Sequence, residues 1–207
     1  MIIAIDGPTA SGKGTIAKAL AAHFGLPHLD TGLLYRAVGR QVFLNAGNPD
    51  DPDAALVATD FPESLLADPA LRSEETGALA SRVSIHPGVR AALLARQQAF
   101  ARQPGGAVLD GRDIATVIAP QAEAKLFVTA SVTARALRRW AEMQQRGENV
   151  TREAIEADLA ARDERDRTRT AAPLRQADDA ALLDTSALSI EAAIAAAIAL
   201  VEKQLKA

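Results

Sequence analysis

The seven residues from Gly7 to Lys13 constrain this chain more than any other part of it. They read Gly-Pro-Thr-Ala-Ser-Gly-Lys, which is the pattern G-x-x-x-x-G-K. An apolar run from Ile2 to Asp6 leads directly into them, and a stretch of helical character from Thr15 to Phe24 follows. In this order, backbone N–H groups can turn inward around a phosphate, and the helix N-terminus adds its positive dipole end. The sequence therefore predicts a phosphate-binding loop, or P-loop, between a buried strand and a helix.

The loop also predicts how a nucleoside triphosphate is held. Lys13 places a positive charge near the β- and γ-phosphates. ATP binding is assigned to Gly7, Pro8, Thr9, Ala10, Ser11, Gly12, Lys13, Gly14 and Thr15. Gly14 stands where a general P-loop has a Ser or Thr that binds Mg²⁺. We therefore expect Mg²⁺ on phosphate oxygens and water, with Thr15 or Asp110 on the protein side, since Asp110 closes an apolar strand.

The rest of the chain alternates between short apolar runs and helical stretches. Further strands are predicted just before Asp30 and over 107–110, 125–130 and 182–184. Helices are predicted from Thr31 to about Ala46, from Pro87 to about Arg102, and over 135–146, 153–167 and 190–205. Such alternation predicts an α/β fold in three layers, with a parallel central sheet and helices on both faces.

Composition excludes several classes of function. The chain has 207 residues, no Cys, 3 His, 1 Trp, 1 Tyr, 5 Phe and a net charge of −3. These counts argue against a disulfide framework, a thiolate metal site, and a basic or aromatic surface for nucleic acid. The first residues lack the basic region of a signal peptide, and the longest apolar run, Ala192 to Val201, is too short to span a bilayer. We expect a cytoplasmic protein that binds neither nucleic acid nor membrane.

Residues 50–75 differ from the rest of the chain. They carry eight acidic residues against Arg72 alone, together with Pro52, Pro62 and Pro69. This composition predicts a solvated insert that does not contribute to the core.

The basic residues are mostly arginine, 18 Arg against 5 Lys. Composition bias accounts for most of them, but the planar guanidinium also suits bidentate phosphate recognition. Arg112 and Asp113 follow a predicted strand, at the sheet edge where open α/β folds bind ligands. Further along, Arg162, Asp166 and Arg169 fall on one face of a helix. An alternative interpretation of that face is a series of surface ion pairs of about 0.3–0.5 kcal/mol each.

The order and spacing of these motifs resemble those of the bacterial cytidylate kinases, within the nucleoside monophosphate kinases. The resemblance extends along nearly the whole chain. It rests on Gly12-Lys13-Gly14-Thr15, Asp30-Thr31-Gly32 with Tyr35-Arg36, Ser81 and Pro87 with Arg90, Asp110 to Asp113, Arg162 to Arg169 with Ala172-Pro173-Leu174, and Asp184-Thr185-Ser186. It implies a P-loop NTPase fold and ATP-dependent phosphorylation of CMP and dCMP, with Mg²⁺, by a monomer.

The resemblance also implies roles for individual residues. Ser81, Arg90 and Asp113 would read the cytosine edge, and Arg162 and Asp166 would hold the sugar hydroxyls. The acceptor phosphate and nearby groups would be surrounded by Thr31, Tyr35, Arg36, Arg112 and Arg169. The catalytic set would be Lys13, Arg112, Arg162 and Arg169. Any of Arg135, Arg138 and Arg139 could reach the ATP phosphates or simply lie on a helix surface.

The domain organisation follows from the same resemblance. We expect one domain over 1–207, with an insert that binds the nucleoside monophosphate at approximately 47–86 and a short lid at approximately 143–168. The insert is about fifteen residues shorter than is usual in the family, and the missing stretch corresponds to a small β-hairpin. Two alternatives stay open: a P-loop kinase of another acceptor, such as UMP, AMP or shikimate, and a non-enzymatic nucleotide-binding module.

Overall fold

The computed structural model describes residues 1–206, which form one central sheet with helices around it. All strand pairs are parallel, in the order β2-β3-β1-β4-β5. The strands are β1 (Ile2–Asp6), β2 (His28–Asp30), β3 (Ala107–Gly111), β4 (Ala124–Thr129) and β5 (Ala181–Asp184). In the register, Asp6 lies beside Gly111 and Asp30 beside Asp110, so these acidic side chains share the carboxyl edge of the sheet. The predicted parallel α/β fold is confirmed.

Helices cover both faces of the sheet. They are α1 (Lys13–Phe24), α2 (Thr31–Leu44), α3 (Pro52–Val57), α4 (Glu74–Val83), α5 (Pro87–Ala101), α6 (Val132–Gln145), α7 (Arg152–Thr168) and α8 (Ile190–Gln204). Successive residues of a strand point to opposite faces. Accordingly, Ile3 and Ile5 are buried against α1 and α8, whereas Ala4 is buried on the opposite face with residues of α5. The predicted three layers are therefore present.

The prediction that residues 50–75 lie outside the core is wrong. This segment contains α3 and two short 3₁₀ turns, Glu63–Ala67 and Pro69–Arg72. Its apolar side chains, including Leu71 at 1% exposure, are buried in a second hydrophobic cluster with residues of α2 and α4. The acidic side chains lie mostly on the outer side of these turns. High charge density is compatible with a core because a short helix can present one face to water and bury the other.

Several elements differ in extent from the sequence expectations. Helix α1 begins at Lys13 rather than Thr15, and α6 begins at Val132, where the Ser131 side chain caps it. Helix α4 was not predicted; its start is capped by the side chain of Ser73. A π-helical turn over Ile114–Ile118 follows β3 and was not predicted either. Between residues 47 and 86 the described structure contains helices and turns but no strand, which agrees with the expected lack of a hairpin.

Helices α6 and α7 form a pair beside the P-loop. Four buried residues hold the pair together, namely Ala136, Met143, Ile155 and Leu159. Ala10 of the P-loop packs against this cluster. Within residues 1–206, no helix is both long and apolar enough to cross a membrane.

Candidate active site

Two adjoining clefts lie at the carboxyl edge of the sheet. The first, of about 240 Å³, is enclosed by the P-loop, α2, α4, α7 and the end of β3. The second, of about 370 Å³, lies between the P-loop, α6 and the start of α8. Lys13 and Arg139 line both clefts, so they stand between the two spaces. This arrangement suits the transfer of a charged group from one bound molecule to another.

The first cleft contains every residue that the resemblance assigned to the acceptor. The ten residues are Thr31, Tyr35, Arg36, Ser81, Arg90, Arg112, Asp113, Arg162, Asp166 and Arg169. They come from α2, α4, α5, α7 and the loop after β3. Folding therefore brings together residues that are more than a hundred positions apart in the chain.

The P-loop is fixed tightly to the sheet. A Cβ atom on Gly7 would lie 2.0 Å from the carbonyl oxygen of Val128 in β4, so only glycine fits there. The Thr185 hydroxyl, after β5, donates to the carbonyl oxygen of Ser11 at 2.9 Å. The Lys13 ammonium donates to the Pro8 carbonyl at 3.3 Å. Burial, followed by the nearby charge of Arg112, lowers the pKa of Lys13 to about 8.

Arg112 joins three parts of the first cleft. Its Nε donates to Asp166 Oδ2 at 2.7 Å, and its Nη2 donates to Thr9 Oγ1 at 2.6 Å. Burial would lower the pKa of Arg112, but the charge and hydrogen bond of Asp166 outweigh it, so the pKa is raised. Burial also opposes ionisation of Asp166, yet Arg112 holds the pKa of that carboxyl below its usual range. Both groups are therefore charged at neutral pH.

A second ion pair lies deeper in the cleft. Arg90 of α5 donates to the Asp113 carboxylate, and its guanidinium lies over the Tyr35 ring, 5.5 Å from the ring centre. Arg169 places Nη2 4.0 Å from Asp113 Oδ1, and that nitrogen has no hydrogen-bond partner among residues 1–206. Arg169 itself is held by donation from Nε to the Ala172 carbonyl at 2.8 Å. Arg169 therefore has a buried nitrogen without a partner, on a side chain that lines the cleft.

Comparison with known proteins identifies the family. A sequence model described as "Cytidylate kinase" matches residues 3–203. The chain belongs to the cytidylate kinase family. Proteins named cytidylate kinase from Xanthobacter autotrophicus and from Rhodopseudomonas palustris strain BisA53 are 61% and 58% identical to it, each over 203 residues. These matches cover 98% of this chain and 97% and 96% of the two relatives. The two relatives are therefore almost the same length as this chain.

A solved structure supports the fold independently. The crystal structure of an uncharacterized protein from Eubacterium ventriosum superimposes with a TM-score of 0.57, covering 98% of both chains. Its sequence identity to this member of the cytidylate kinase family is 13%, so the likeness concerns the fold alone.

The two residues expected to bind a metal line different clefts. Thr15 is exposed and lines the second cleft, whereas Asp110 is buried and lines the first. One Asp110 oxygen, Oδ1, is 2.7 Å from His28 Nε2. The other, Oδ2, lies 3.9 Å from where a Cβ on Gly14 would be, so it faces the P-loop. Residues 1–206 contain no group of three or more metal-ligating His, Cys, Asp or Glu side chains.

A Mg²⁺ ion would find few protein ligands in this part of the site. It would be held largely by phosphate oxygens and water, with the Oδ2 atom of Asp110 as a carboxylate oxygen that faces the P-loop. The absence of a side chain on Gly14 leaves space between that oxygen and the loop.

Several positioning residues were missed by the sequence interpretation. Arg135, named only as a residue before the lid, forms a two-nitrogen ion pair with Asp163, at 3.0 and 2.5 Å, and donates to the Thr9 carbonyl at 3.0 Å. Asp6 accepts from the backbone N–H groups of Ile114 and Ala115, each at 2.8 Å. Burial raises the pKa of Asp6 to about 6, although both backbone hydrogen bonds oppose the shift. The Asp6 contacts hold the turn that follows Arg112, whereas the Arg135 contacts join α6 to α7 and to the P-loop.

Arg165 is a further missed residue. It donates from Nε to the Ser81 hydroxyl at 3.1 Å, across 84 positions of sequence. Because Arg165 lies on α7 and Ser81 on α4, this contact joins these two helices. No local spacing in the sequence signals it.

Proposed function

We propose that this protein transfers the γ-phosphoryl group of ATP to CMP or dCMP, giving ADP and CDP or dCDP. The observation that carries the proposal is the single cleft that contains all ten predicted acceptor residues and shares Lys13 with the neighbouring P-loop cleft. Membership of the cytidylate kinase family, with relatives of that name at 55–61% identity, agrees with it.

The acceptor nucleotide is proposed to lie in the first cleft. Ser81, Arg90 and Asp113 supply a hydroxyl, a guanidinium and a carboxylate, which match the amine, N3 and O2 of cytosine without an aromatic stacking surface. Arg162 and Asp166 are proposed to hold the sugar hydroxyls. The acceptor phosphate is assigned to Thr31, Tyr35, Arg36, Arg112 and Arg169, which surround the space next to the P-loop.

ATP is proposed to occupy the second cleft, with its phosphates in the loop Gly7–Thr15. Magnesium, when bound, neutralises charge on the β- and γ-phosphates, and Asp110 and Thr15 are its proposed protein contacts. Lys13 lies at the junction of the clefts, where its charge can stabilise the phosphoryl group as it passes from donor to acceptor.

The chemistry requires no general base. The attacking atom is an oxygen of the CMP phosphate, which is already anionic at neutral pH. Catalysis then consists of holding donor and acceptor in line and neutralising charge on the transferring group. Lys13, Arg112, Arg162 and Arg169 are the proposed catalytic residues. None of the three histidines lines either cleft, and His28 is hydrogen-bonded to Asp110.

Two mobile parts complete the proposal. Residues at approximately 47–86 form the insert that holds the acceptor, and those at approximately 143–168 form the lid. Their closure would exclude water and suppress hydrolysis of ATP. The protein is proposed to act as a monomer in the cytoplasm, where both nucleotides are present; light scattering tests the monomer.

A coupled assay of ADP release against a panel of acceptors tests the proposal. We expect turnover with CMP and dCMP, slower turnover with UMP, and none with AMP or shikimate. Lys13→Ala serves as the control for contaminating kinases and should show no turnover. Preference for AMP or shikimate would overturn the assignment of the base-reading residues. Binding of ATP without CMP-dependent release of ADP would identify a non-enzymatic nucleotide-binding module instead.

A further inference from the structure

Three arginines from different helices converge on the cleft face of α4. They are Arg36 of α2, Arg139 of α6 and Arg162 of α7. The point of approach is Gly77, where a Cβ would lie 2.9 Å from Arg36 Nη2 and 3.1 Å from Arg162 Nη1. The missing side chain therefore allows two guanidinium groups to lie against the same turn of helix.

This cluster is electrostatically unfavourable by itself. Burial lowers the pKa of Arg36 to about 10, and the charges of Arg139 and Arg162 contribute to the same shift. The pKa of Arg139 is also lowered, first by burial and then partly by Arg162. Like charges at close range in a partly buried site repel one another and need a nearby anion.

Asp30, Glu142 and Asp158 act on these arginines through their charges, and one carboxylate from α4 contacts two of them directly. Glu74, the first residue of α4, forms an ion pair with Arg139 and places Oε2 3.4 Å from Arg162 Nη2. Arg162 has a second acidic partner at 2.8 Å, Asp158, but that residue lies on the same helix. Glu74 therefore joins the start of α4 to both α6 and α7.

We propose that Glu74 is an internal anion, which holds Arg139 and Arg162 while the cleft is empty and competes for them with the phosphoryl group that is transferred. The inference rests on the proposed function, because it assumes that this cluster receives phosphate. Carboxylate and phosphate offer a guanidinium the same pair of oxygen acceptors. The Glu74 side chain is 31% exposed, so once displaced it can be hydrated at the rim of the cleft. Substrate binding thus exchanges one anion for another.

The opposite role predicts the opposite result. If Glu74 were a fixed brace that orients the arginines for substrate, its removal would weaken binding. If it competes with substrate, its removal strengthens binding. The sign of the change in affinity therefore separates the two roles.

The test compares Glu74→Gln with Glu75→Gln, a matched control that loses the same charge one residue along, on an exposed side chain. Calorimetry measures the Kd of CMP and of inorganic pyrophosphate. We expect Glu74→Gln to bind both ligands about fivefold more tightly, because they no longer have to displace a partly buried ion pair. Glu75→Gln should stay within about twofold of the unchanged protein. Unchanged or weaker binding in Glu74→Gln overturns the proposal.

A second variant addresses folding and overall charge. Glu74→Asp keeps the negative charge at the helix start but shortens the reach by one methylene, so it should also bind pyrophosphate more tightly. If Glu74→Gln fails to fold, the pyrophosphate Kd of Glu74→Asp decides the question: tighter binding supports the proposal, and unchanged or weaker binding overturns it. The pyrophosphate measurement does not depend on CMP as substrate. Failure of the proposed function would appear separately, as absence of CMP turnover in the unchanged protein.

Discussion

Arg112 and Asp166 form a largely buried ion pair, 2.7 Å from Nε to Oδ2, that joins the end of β3 to α7. The same guanidinium also donates to Thr9 in the P-loop at 2.6 Å. One planar group therefore sets the spacing of three segments that surround the proposed path of the phosphoryl group. Lysine carries the same charge but offers no rigid fork of donors.

Replacing Arg112 by lysine should lower turnover while leaving the fold intact. We expect kcat with CMP to fall about 100-fold, the size of effect seen when one preorganised donor is removed from a reacting anion. Steady-state kinetics measure this, and circular dichroism checks the fold. The matched control is Arg96→Lys, since Arg96 pairs with Glu63 on the surface and is 40% exposed. A comparable loss in both variants would contradict the role assigned to Arg112.

Asp113→Ala should weaken CMP binding far more than ATP binding. The change leaves Arg90 without its ion-pair partner beside the proposed cytosine site, and an unpaired buried charge costs about 3–5 kcal/mol. We expect the Kd of CMP to rise by about 100-fold or more and that of ATP to change by less than about threefold. Calorimetry with each nucleotide measures both values. Equal weakening of both would mean that Asp113 has a structural role.

The pKa of Lys13, lowered to about 8 by burial and then by Arg112, predicts a pH dependence. Below that pH the side chain is charged and attracts phosphate; above it the charge is lost. Because kcat/KM reports groups of the free enzyme, kcat/KM for ATP should fall as the pH rises through about 8. Lys13→Arg stays charged throughout and should lose this inflection in whatever activity it retains. A flat profile for the unchanged protein up to pH about 9.5 would show that Lys13 does not titrate there.

The insert should depend on its own buried side chains for stability. Leu71 is 1% exposed and Val57 is 70% exposed, although both belong to the acid-rich segment. Leu71→Ala should lower the free energy of unfolding by about 2–5 kcal/mol. Val57→Ala should change it by less than about 0.5 kcal/mol. Denaturant titration followed by circular dichroism measures both, and equal small effects would restore the interpretation of a purely solvated insert.

The acceptor roles of the ten residues in the first cleft came from the resemblance to the cytidylate kinases and stay predictions, although all ten line that cleft. The sheet, by contrast, could be predicted from the sequence itself for a simple reason. Parallel strands end at one edge, so residues that follow Asp30 and Asp110 must meet there. The apolar run before Gly7 located the first strand, and the other strands followed from their alternation with helices. These signals are local in sequence, which is why they could be read without coordinates.

Contacts between α4 and α7 could not be predicted in this way. Glu74 and Arg162 are 88 positions apart, and Ser81 and Arg165 are 84 apart. Their pairing depends on how α4 and α7 approach each other, which no spacing within either helix encodes. The core of residues 50–75 was missed for a related reason: its apolar residues become a buried face only when α2 and α4 lie against them.

The four-residue cluster between α6 and α7 has a consequence for how the protein opens. It is the smallest of the hydrophobic clusters within residues 1–206, so this helix pair should detach as a cooperative unit at far less cost than global unfolding. Ala10 of the P-loop contributes to the same cluster. Occupancy of the loop by nucleotide should therefore slow amide hydrogen exchange in α7, a helix that lines only the neighbouring cleft.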